Sequence, residues 1–370
     1  MKLIQGGLVK TITGGDIENG QILIDGGKIV AVGQNLDVPA GTEIIDAAGC
    51  IVTPGFVDAH CHIGIHEEAS RWEGNDTNEY SGPVTPEIRA IDGINPRDEA
   101  FGNAIGGGVT TAVTGPGSAN VLGGTFVAMK LYGDCVDDMI LKAPLAIKFA
   151  LGENPKSVYH DKDETPVTRM ATAGIIREEL YKAKEYFSRK ARAENDPDQD
   201  EPDFDIKMEA LQPLLWGKAE AHFHAHRADD IFTALRIAKE FGLRAVIIHG
   251  TEAHLVADLL AEEHVPVVSG PYMTDRSKPE IRNLSDAAPG LLCKAGIETA
   301  ITVDHPEIPL RLLPMALMLA VRAGMDKTDA MRAVTSVPAK IAGMQDRIGS
   351  LKTGLDADCV LWSGDPLDIA

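Results

Sequence analysis

From about residue 55 onward the chain alternates short apolar runs with helical segments, and several of those runs end in histidine or aspartate. The runs Val109–Thr114, Leu145–Leu151, Ala219–His224, Ala245–His249, Val265–Ser269 and Thr299–Val303 read as buried strands. Between and after them, Ala171–Lys190, Ala228–Phe241, Glu252–Glu263, Leu310–Ala323 and Lys327–Val334 have the pattern of helices. Strands that are apolar throughout need cover on both faces, and intervening helices supply it. The pattern therefore predicts an α/β fold with a parallel sheet wrapped by helices, a (β/α)8-type barrel. Two irregularities stand out. No fourth strand is evident between Pro155 and Gly217, and the stretch from Leu122 to Ile140 suggests a β-hairpin inserted before the third strand.

The chain's ends look different. The first fifty residues carry short alternating runs joined by Gly-Gly turns, among them Gln21–Asp25 and Lys28–Val32. Ile348–Leu351 and Ala357–Trp362 return to the same character and are expected to pair with the N-terminal strands. With 370 residues there is room for one large barrel and a small satellite. The expected division is a composite β-sandwich domain of residues 1–54 plus 345–370, and a barrel of residues 55–344. Ala191–Asp203, acidic and rich in breakers, reads as an exposed loop.

A net charge of −20 argues against a nucleic-acid partner, because phosphate binding needs a basic surface. The five cysteines have no CxxC spacing, so neither a zinc ribbon nor a disulfide framework is indicated. Met1–Gly7 lacks a signal peptide's apolar core and no run of 18 apolar residues occurs, so no membrane association is expected and a reducing cytoplasm fits best. A small-molecule substrate is expected, with a homo-oligomer as the default assembly.

The chemistry concentrates at the strand ends. Residues i and i+2 of a strand share a face, so His60 and His62 can reach one ion while Cys61 points elsewhere. Neutral imidazole is the commonest ligand of Zn²⁺ and its neighbours. Alone, such a pair says little. Here His222, His224 and His226 alternate at the end of a second strand, His249 ends a third, and Asp304 ends a fourth. In barrels of this type the C-terminal strand ends converge on one site. A bound divalent ion lowers the pKa of water and polarises a carbonyl, and a nearby carboxylate can shuttle the proton. Asp304 is the candidate for that role. A further ligand could come from Glu153, just past a strand, or from Lys148 inside that strand if carbamylated. Ligand chemistry and position favour Glu153. Asp58 could support the histidine pair. Asn120 lies in a loop that could line the substrate pocket. His226 could face the substrate or exchange roles with His224, and Arg227, Arg276 or Lys278 could bind an anionic group.

Along essentially its whole length the chain resembles the amidohydrolase superfamily of metal-dependent hydrolases. The resemblance is carried by Val52-Thr53-Pro54-Gly55-Phe56-Val57-Asp58-Ala59-His60-Cys61-His62, by Ile248-His249-Gly250, by Val303-Asp304, and by Thr335-Ser336-Val337-Pro338-Ala339-Lys340. Ile348–Leu351 and Gly354–Asp358 look like that family's return into its β-sandwich. Leu151–Lys156 and His224–Asp230 are similar to the imidazolonepropionase-related subgroup. The resemblance implies a distorted (β/α)8 barrel with one or two divalent ions, usually zinc. His60 and His62 would bind the first ion, His224 and His249 the second. Asp304 would bind or hydrogen-bond the attacking hydroxide, and Glu153 would bridge. The superfamily's commoner bridge is a carbamylated lysine. A glutamate there is similar to the N-acetylglucosamine-6-phosphate deacetylases, in which the metal count varies. Relatives commonly add a sandwich strand beyond the point where this chain stops, at Asp365–Ala370.

The expected function is hydrolysis of a C–N bond in a cyclic or linear amide. Two alternatives accompany it: removal of an N-acetyl group, and an inactive metal-binding scaffold. No loop motif identifies the substrate.

Overall fold

A computed structural model describes residues 1–368. The final two positions, assigned from sequence to the small domain, lie outside the described residues. Five strands come first: β1 (Lys2–Lys10), β2 (Asp16–Asp25), β3 (Lys28–Gly33), β4 (Glu43–Asp46) and β5 (Ile51–Pro54). Eight follow: β6 (Phe56–Cys61), β7 (Val109–Thr114), β8 (Leu122–Lys130), β9 (Ile140–Ala150), β10 (Glu220–Ala225), β11 (Ala245–His249), β12 (Val267–Ser269) and β13 (Thr299–Ile301). A last strand, β14 (Cys359–Trp362), ends the series.

β1 to β5 and β14 make one six-stranded sheet. β1 is long enough to hold two partners on one edge: β4 runs parallel to its first half and β5 to its second. β14 pairs antiparallel with β5, setting Cys359 opposite Pro54 and Trp362 opposite Ile51. The C-terminal segment thus joins the N-terminal sheet, and apolar side chains including Ile4, Val9, Ile22, Ile29, Val52 and Leu351 form its core. Ile348–Leu351 takes no strand conformation. It contributes packing instead.

β6 to β13 form the second sheet, in chain order. Its edges approach one another, since Thr302 Oγ1 donates to His60 O (2.6 Å) and His62 N donates to His305 O (2.8 Å). The barrel is distorted. β8 runs antiparallel to both β7 and β9, while the other pairings are parallel. The expected hairpin is therefore part of the barrel wall. Eight of β8's nine residues are buried, so the strand is covered on both faces like its neighbours. The missing strand between Pro155 and Gly217 has the same explanation: helices fill that stretch, led by Arg169–Asn195.

Helix Ala228–Phe241 occupies the expected span, burying Ile231, Ala234, Leu235, Ala238 and Phe241 at helical spacing. It ends on Gly242, whose φ of 70° suits a left-handed cap. Two helices differ from expectation. Glu252–Glu263 breaks into a 3-10 turn, Ala253–Val256, and a short helix, Ala257–Ala261. Arg169–Asn195 continues into the acidic stretch read as a loop.

Alternation sorts the barrel side chains. On β9 and β10, Ile147, Phe149, Ala221, Phe223 and Ala225 join the outer core against the helices. Lys148 and His222, paired in register, are wholly buried. Cys61 likewise belongs to an outer apolar cluster, leaving its neighbours His60 and His62 to the other face.

Candidate metal centre

β6 delivers His60 and, one residue past its end, His62. Asp304 follows β13, and its Oδ1 lies 3.6 Å from His60 Nε2 and 3.4 Å from His62 Nε2. β10 supplies His224 and β11 supplies His249, with His226 immediately beyond β10. Two buried groups result, His60–His62–Asp304 and His224–His226–His249, each with its donor atoms within 4.8 Å of one another. The His60 and His249 rings, one from each group, have centroids 5.5 Å apart.

Backbone and hydroxyl oxygens fix the ring orientations. His62 Nδ1 donates to Gly115 O (2.6 Å) and His249 Nδ1 to Gly270 O (2.8 Å). A carbonyl can only accept, so Nδ1 carries a proton in both rings and Nε2 is the nitrogen left to face the site. His226 Nδ1 contacts Thr251 Oγ1 (2.8 Å). His249 and Asp304 adopt left-handed backbone, with φ of 72° and 54°. Strain of this kind costs of order 1–3 kcal/mol at a non-glycine residue, and it concentrates where a side chain must be aimed.

Burial sets the protonation. It pushes His60, His224 and His226 well below the ordinary imidazole range and lowers His249 to about 4. These rings are neutral, the state that binds metal. Burial also opposes the charge on Asp304, but His249, His62 and Lys148 outweigh it and hold the carboxyl below its usual range. Asp58 behaves oppositely. Burial raises it to about 7, although it accepts from His60 N (3.0 Å) and Val303 N (3.2 Å). It ties the first histidine strand to the segment that leads into Asp304.

Several buried polar atoms have no partner: both ring nitrogens of His224, Nδ1 of His60 and Oδ1 of Asp304. Orphans of that kind are costly in a dry interior. A divalent cation would satisfy them, and neutral imidazoles with a carboxylate are a zinc-type donor set. The residues fit a metal centre.

The structure brings His60, His62, His224, His249 and Asp304 together, and adds His226. It does not bring Glu153 to them. β9 ends at Ala150 and the chain turns through Gly152 (φ 83°), so Glu153 begins the helix Glu153–His160 and belongs to neither group. Lys148 stands there instead, fully buried, with Nζ 3.2 Å from His60 Nε2. Burial lowers its ammonium to about 7.

A cavity of about 510 Å³ opens over both groups, walled by His62, His226, Asp304, Tyr80, Asn154 and Lys278 among others. Its size suits a small ligand. Asn120 is not on its wall. The Asn120 amide donates to Glu79 O and Thr85 Oγ1 and accepts from Tyr159 OH, so its polar atoms are committed to holding loops. Arg227 is turned outward in a two-bonded pair with Asp229 (2.9 and 2.8 Å). Arg276 donates to the carbonyls of Arg282 and Leu284, whereas Lys278 does reach the cavity. Glu280, two residues after Lys278, went unnoticed in the sequence. It is 1% exposed and faces His224 and His226. A glutamate in a polar loop carries no periodic signal of burial.

Residues 215–369 match the model of the Amidohydrolase family. The structure is similar to that of an amidohydrolase from Thermotoga maritima MSB8, with 43% identity, a TM-score of 0.97, and coverage of 100% of this chain and 96% of that one. Amidohydrolase tasK of Hapsidospora irregularis is 30% identical over 377 residues, covering 95% of this chain and 38% of that protein. A dihydroorotase of Pelobacter propionicus is 46% identical over 61 residues, covering 16% of this chain and 14% of that enzyme. The chain thus spans well under two thirds of the length of these two curated relatives. No helix among the described residues is long and apolar enough to cross a membrane.

Proposed function

The chain belongs to the amidohydrolase family, a family of metal-dependent hydrolases, and from that premise we propose that it hydrolyses a C–N bond of a small cyclic or linear amide. One observation carries the reading: His60, His62 and Asp304 converge within 4.8 Å, and His62 and Asp304 share the wall of one cavity with His224 and His249. Those five side chains would hold one or two divalent ions, zinc being the ion their chemistry favours. An ion bound there would make water more acidic and polarise the substrate carbonyl.

The protein's own groups do the rest. Asp304 takes the proton from water as it adds to the carbonyl carbon, then hands that proton to the departing nitrogen. His60 and His62 hold the donor side, kept in register by Asp58 and by Thr302 Oγ1 on His60 O (2.6 Å). The cavity walls keep bulk water from the reacting carbonyl and orient the amide. Lys148, rather than Glu153, would supply the further ligand if carbamylated. Its neutral amine combines with carbon dioxide to give a carbamate anion and a proton, and the nearest histidine nitrogen is already 3.2 Å away.

Removal of an N-acetyl group is the same chemistry on a linear amide. Zinc-loaded protein assayed against cyclic amides, linear amides and N-acetyl compounds tests the reading, with acetate release marking the last group. Turnover that disappears on chelation and returns with zinc supports it. Stoichiometric zinc binding without turnover of any amide, cyclic or linear, overturns it in favour of a scaffold.

A further inference from the structure

Among the described residues the cavity wall carries one lysine, Lys278, and no arginine. In a chain of net charge −20 that cation is held in place on both sides. Its Nζ donates to Asn154 Oδ1 (2.7 Å) and stands 2.9 Å from Glu280 Oε1. Glu280 is itself fixed, because its other oxygen accepts from Glu153 N (2.9 Å). Asn154 is fixed as well, its Nδ2 donating to Ser118 Oγ (2.7 Å). Ser118 sits between two anchored neighbours: Gly117 N donates to Thr77 O (2.8 Å), and Ala119 N to Asn78 Oδ1 (2.9 Å). Segments that follow β7, β9 and β12 thus meet in one row, Ser118–Asn154–Lys278, along the cavity wall. Such a row is organised before any ligand arrives.

The row presents donors. An ammonium has three hydrogens; Asn154 takes one, a second faces Glu280, and the third is left for a ligand. Ser118 Oγ accepts from Asn154 and still has its own hydrogen to give. The neighbouring acceptors, Asn154 Oδ1 and Glu280 Oε1, are already turned to the lysine. The group that fits is therefore a negatively charged acceptor with two oxygens, a carboxylate. A phosphate dianion would meet Asp304 and Glu307 on the same wall with a single lysine to offset them. The position is also telling. Glu280 Oε1 lies 2.9 Å from Lys278 Nζ and 3.9 Å from His224 Nε2, so two short steps separate the ammonium from the histidines. A carboxylate held there and an amide over those histidines can belong to one small molecule.

We propose that Lys278 and Ser118, positioned by Asn154, form a carboxylate subsite, and that the substrate is an amide bearing a carboxylate a few bonds from the scissile C–N bond. Linear N-acyl amino acids and cyclic amides with a carboxylate on the ring are the two forms of that class. Where the amide sits rests on the hydrolase reading above.

Matched pairs test the subsite: N-acyl amino acids and carboxylate-bearing cyclic amides, each beside the analogue with hydrogen in place of the carboxylate. The zinc-loaded parent is expected to favour each acid over its neutral analogue by about 10–100-fold in kcat/KM, the scale of a hydrogen bond to a charged group. Lys278→Met should erase that preference mainly through a higher KM, and Ser118→Ala should reduce it. Thermal shift with the same compounds reads binding apart from turnover, the acids raising the melting temperature of the parent more than that of Lys278→Met. A parent that turns over neutral analogues as well as the acids, or a preference that survives in Lys278→Met, overturns the subsite. Should Lys278→Met not fold, Ser118→Ala is judged by the same ratio, and an undiminished preference overturns the subsite. If acids stabilise the parent through Lys278 while no amide is turned over, the subsite stands and the hydrolase reading fails. Neither turnover nor selective stabilisation removes both.

Discussion

Lys148 Nζ lies 3.2 Å from His60 Nε2 in the barrel interior, with no exposed surface on either side chain. A lysine on an inward-facing strand position, next to a histidine ligand and with its ammonium lowered by burial, is placed to be modified rather than to pair with an acid. Lys148→Met is therefore expected to bind zinc about 10–100-fold more weakly and to lose activity, while still folding, because an apolar chain of similar length suits the site. Intact-mass measurement in bicarbonate buffer should detect the added carbamate in the parent protein only. Full metal affinity in Lys148→Met would remove Lys148 from the ligand set.

Asp304 is the acid beside both His60 and His62, at 3.6 and 3.4 Å. Asp304→Asn keeps the shape and removes the proton acceptor. Turnover should drop about 10²–10⁴-fold, the usual contribution of a positioned acid–base group. Circular dichroism and thermal melting should show the fold intact. Activity within a few-fold of the parent would assign the proton transfer elsewhere.

Gly152 tests the packing that aims Glu280. Its φ of 83° disfavours side chains, and a Cβ would come within 2.7 Å of Glu280 Oε2 and 3.0 Å of Asp230 Oδ2. Gly152→Ala should destabilise the protein by about 1–3 kcal/mol, the scale of backbone strain in this region. Urea titration measures it, and an unchanged midpoint would count against the crowding.

Asn120 bears no substrate in this arrangement. Asn120→Ala leaves the buried Tyr159 hydroxyl without its acceptor, at a cost of about 1–3 kcal/mol. Stability should fall while KM for any substrate found stays close to that of the parent. A large rise in KM at unchanged stability would return Asn120 to the binding site.

The cysteines give a further check. Cys135 is exposed, whereas burial pushes Cys293 up to about 11 and Cys359 up to about 12, and Cys61 is raised well above the ordinary thiol range. At pH 8 a thiol reagent should modify Cys135 rapidly and leave Cys61, Cys293 and Cys359 protonated and slow. Because these three thiols are raised, raising the pH from 8 to 9 should open none of them. Denaturation should release all five thiols of the chain. Rapid labelling of Cys61 in folded protein would contradict the packing of β6.

Much of the barrel was legible because its signals are local. An apolar run ending in histidine or aspartate states both that a strand is buried and that its end is polar, which identifies β6, β10, β11 and the segment into Asp304. Alternation along β6 already separates His60 and His62 from Cys61. Helix Ala228–Phe241 was equally readable from its spacing and its glycine cap. The hairpin of β8 with β9 is legible and present, but an apolar run does not state whether it stands outside the barrel or, as here, takes a place in its wall.

What the residues alone determined was therefore the inventory: a parallel-type sheet, a histidine-rich set of strand ends, and an acid to work with them. The choice within that inventory belonged to the tertiary structure. Glu153 has better ligand chemistry than an unmodified lysine, yet a glycine turn leads it into a helix, while Lys148 faces inward because its strand position is even with His222. Asn120 is consumed by loop contacts, and Glu280 returns from a distant loop to reach His224 and His226. Strand alternation acts between neighbours in sequence and can be read there. Which loop folds back over which strand end depends on contacts between residues more than a hundred positions apart, as Glu280 and Glu153 are, and only the folded chain decides it.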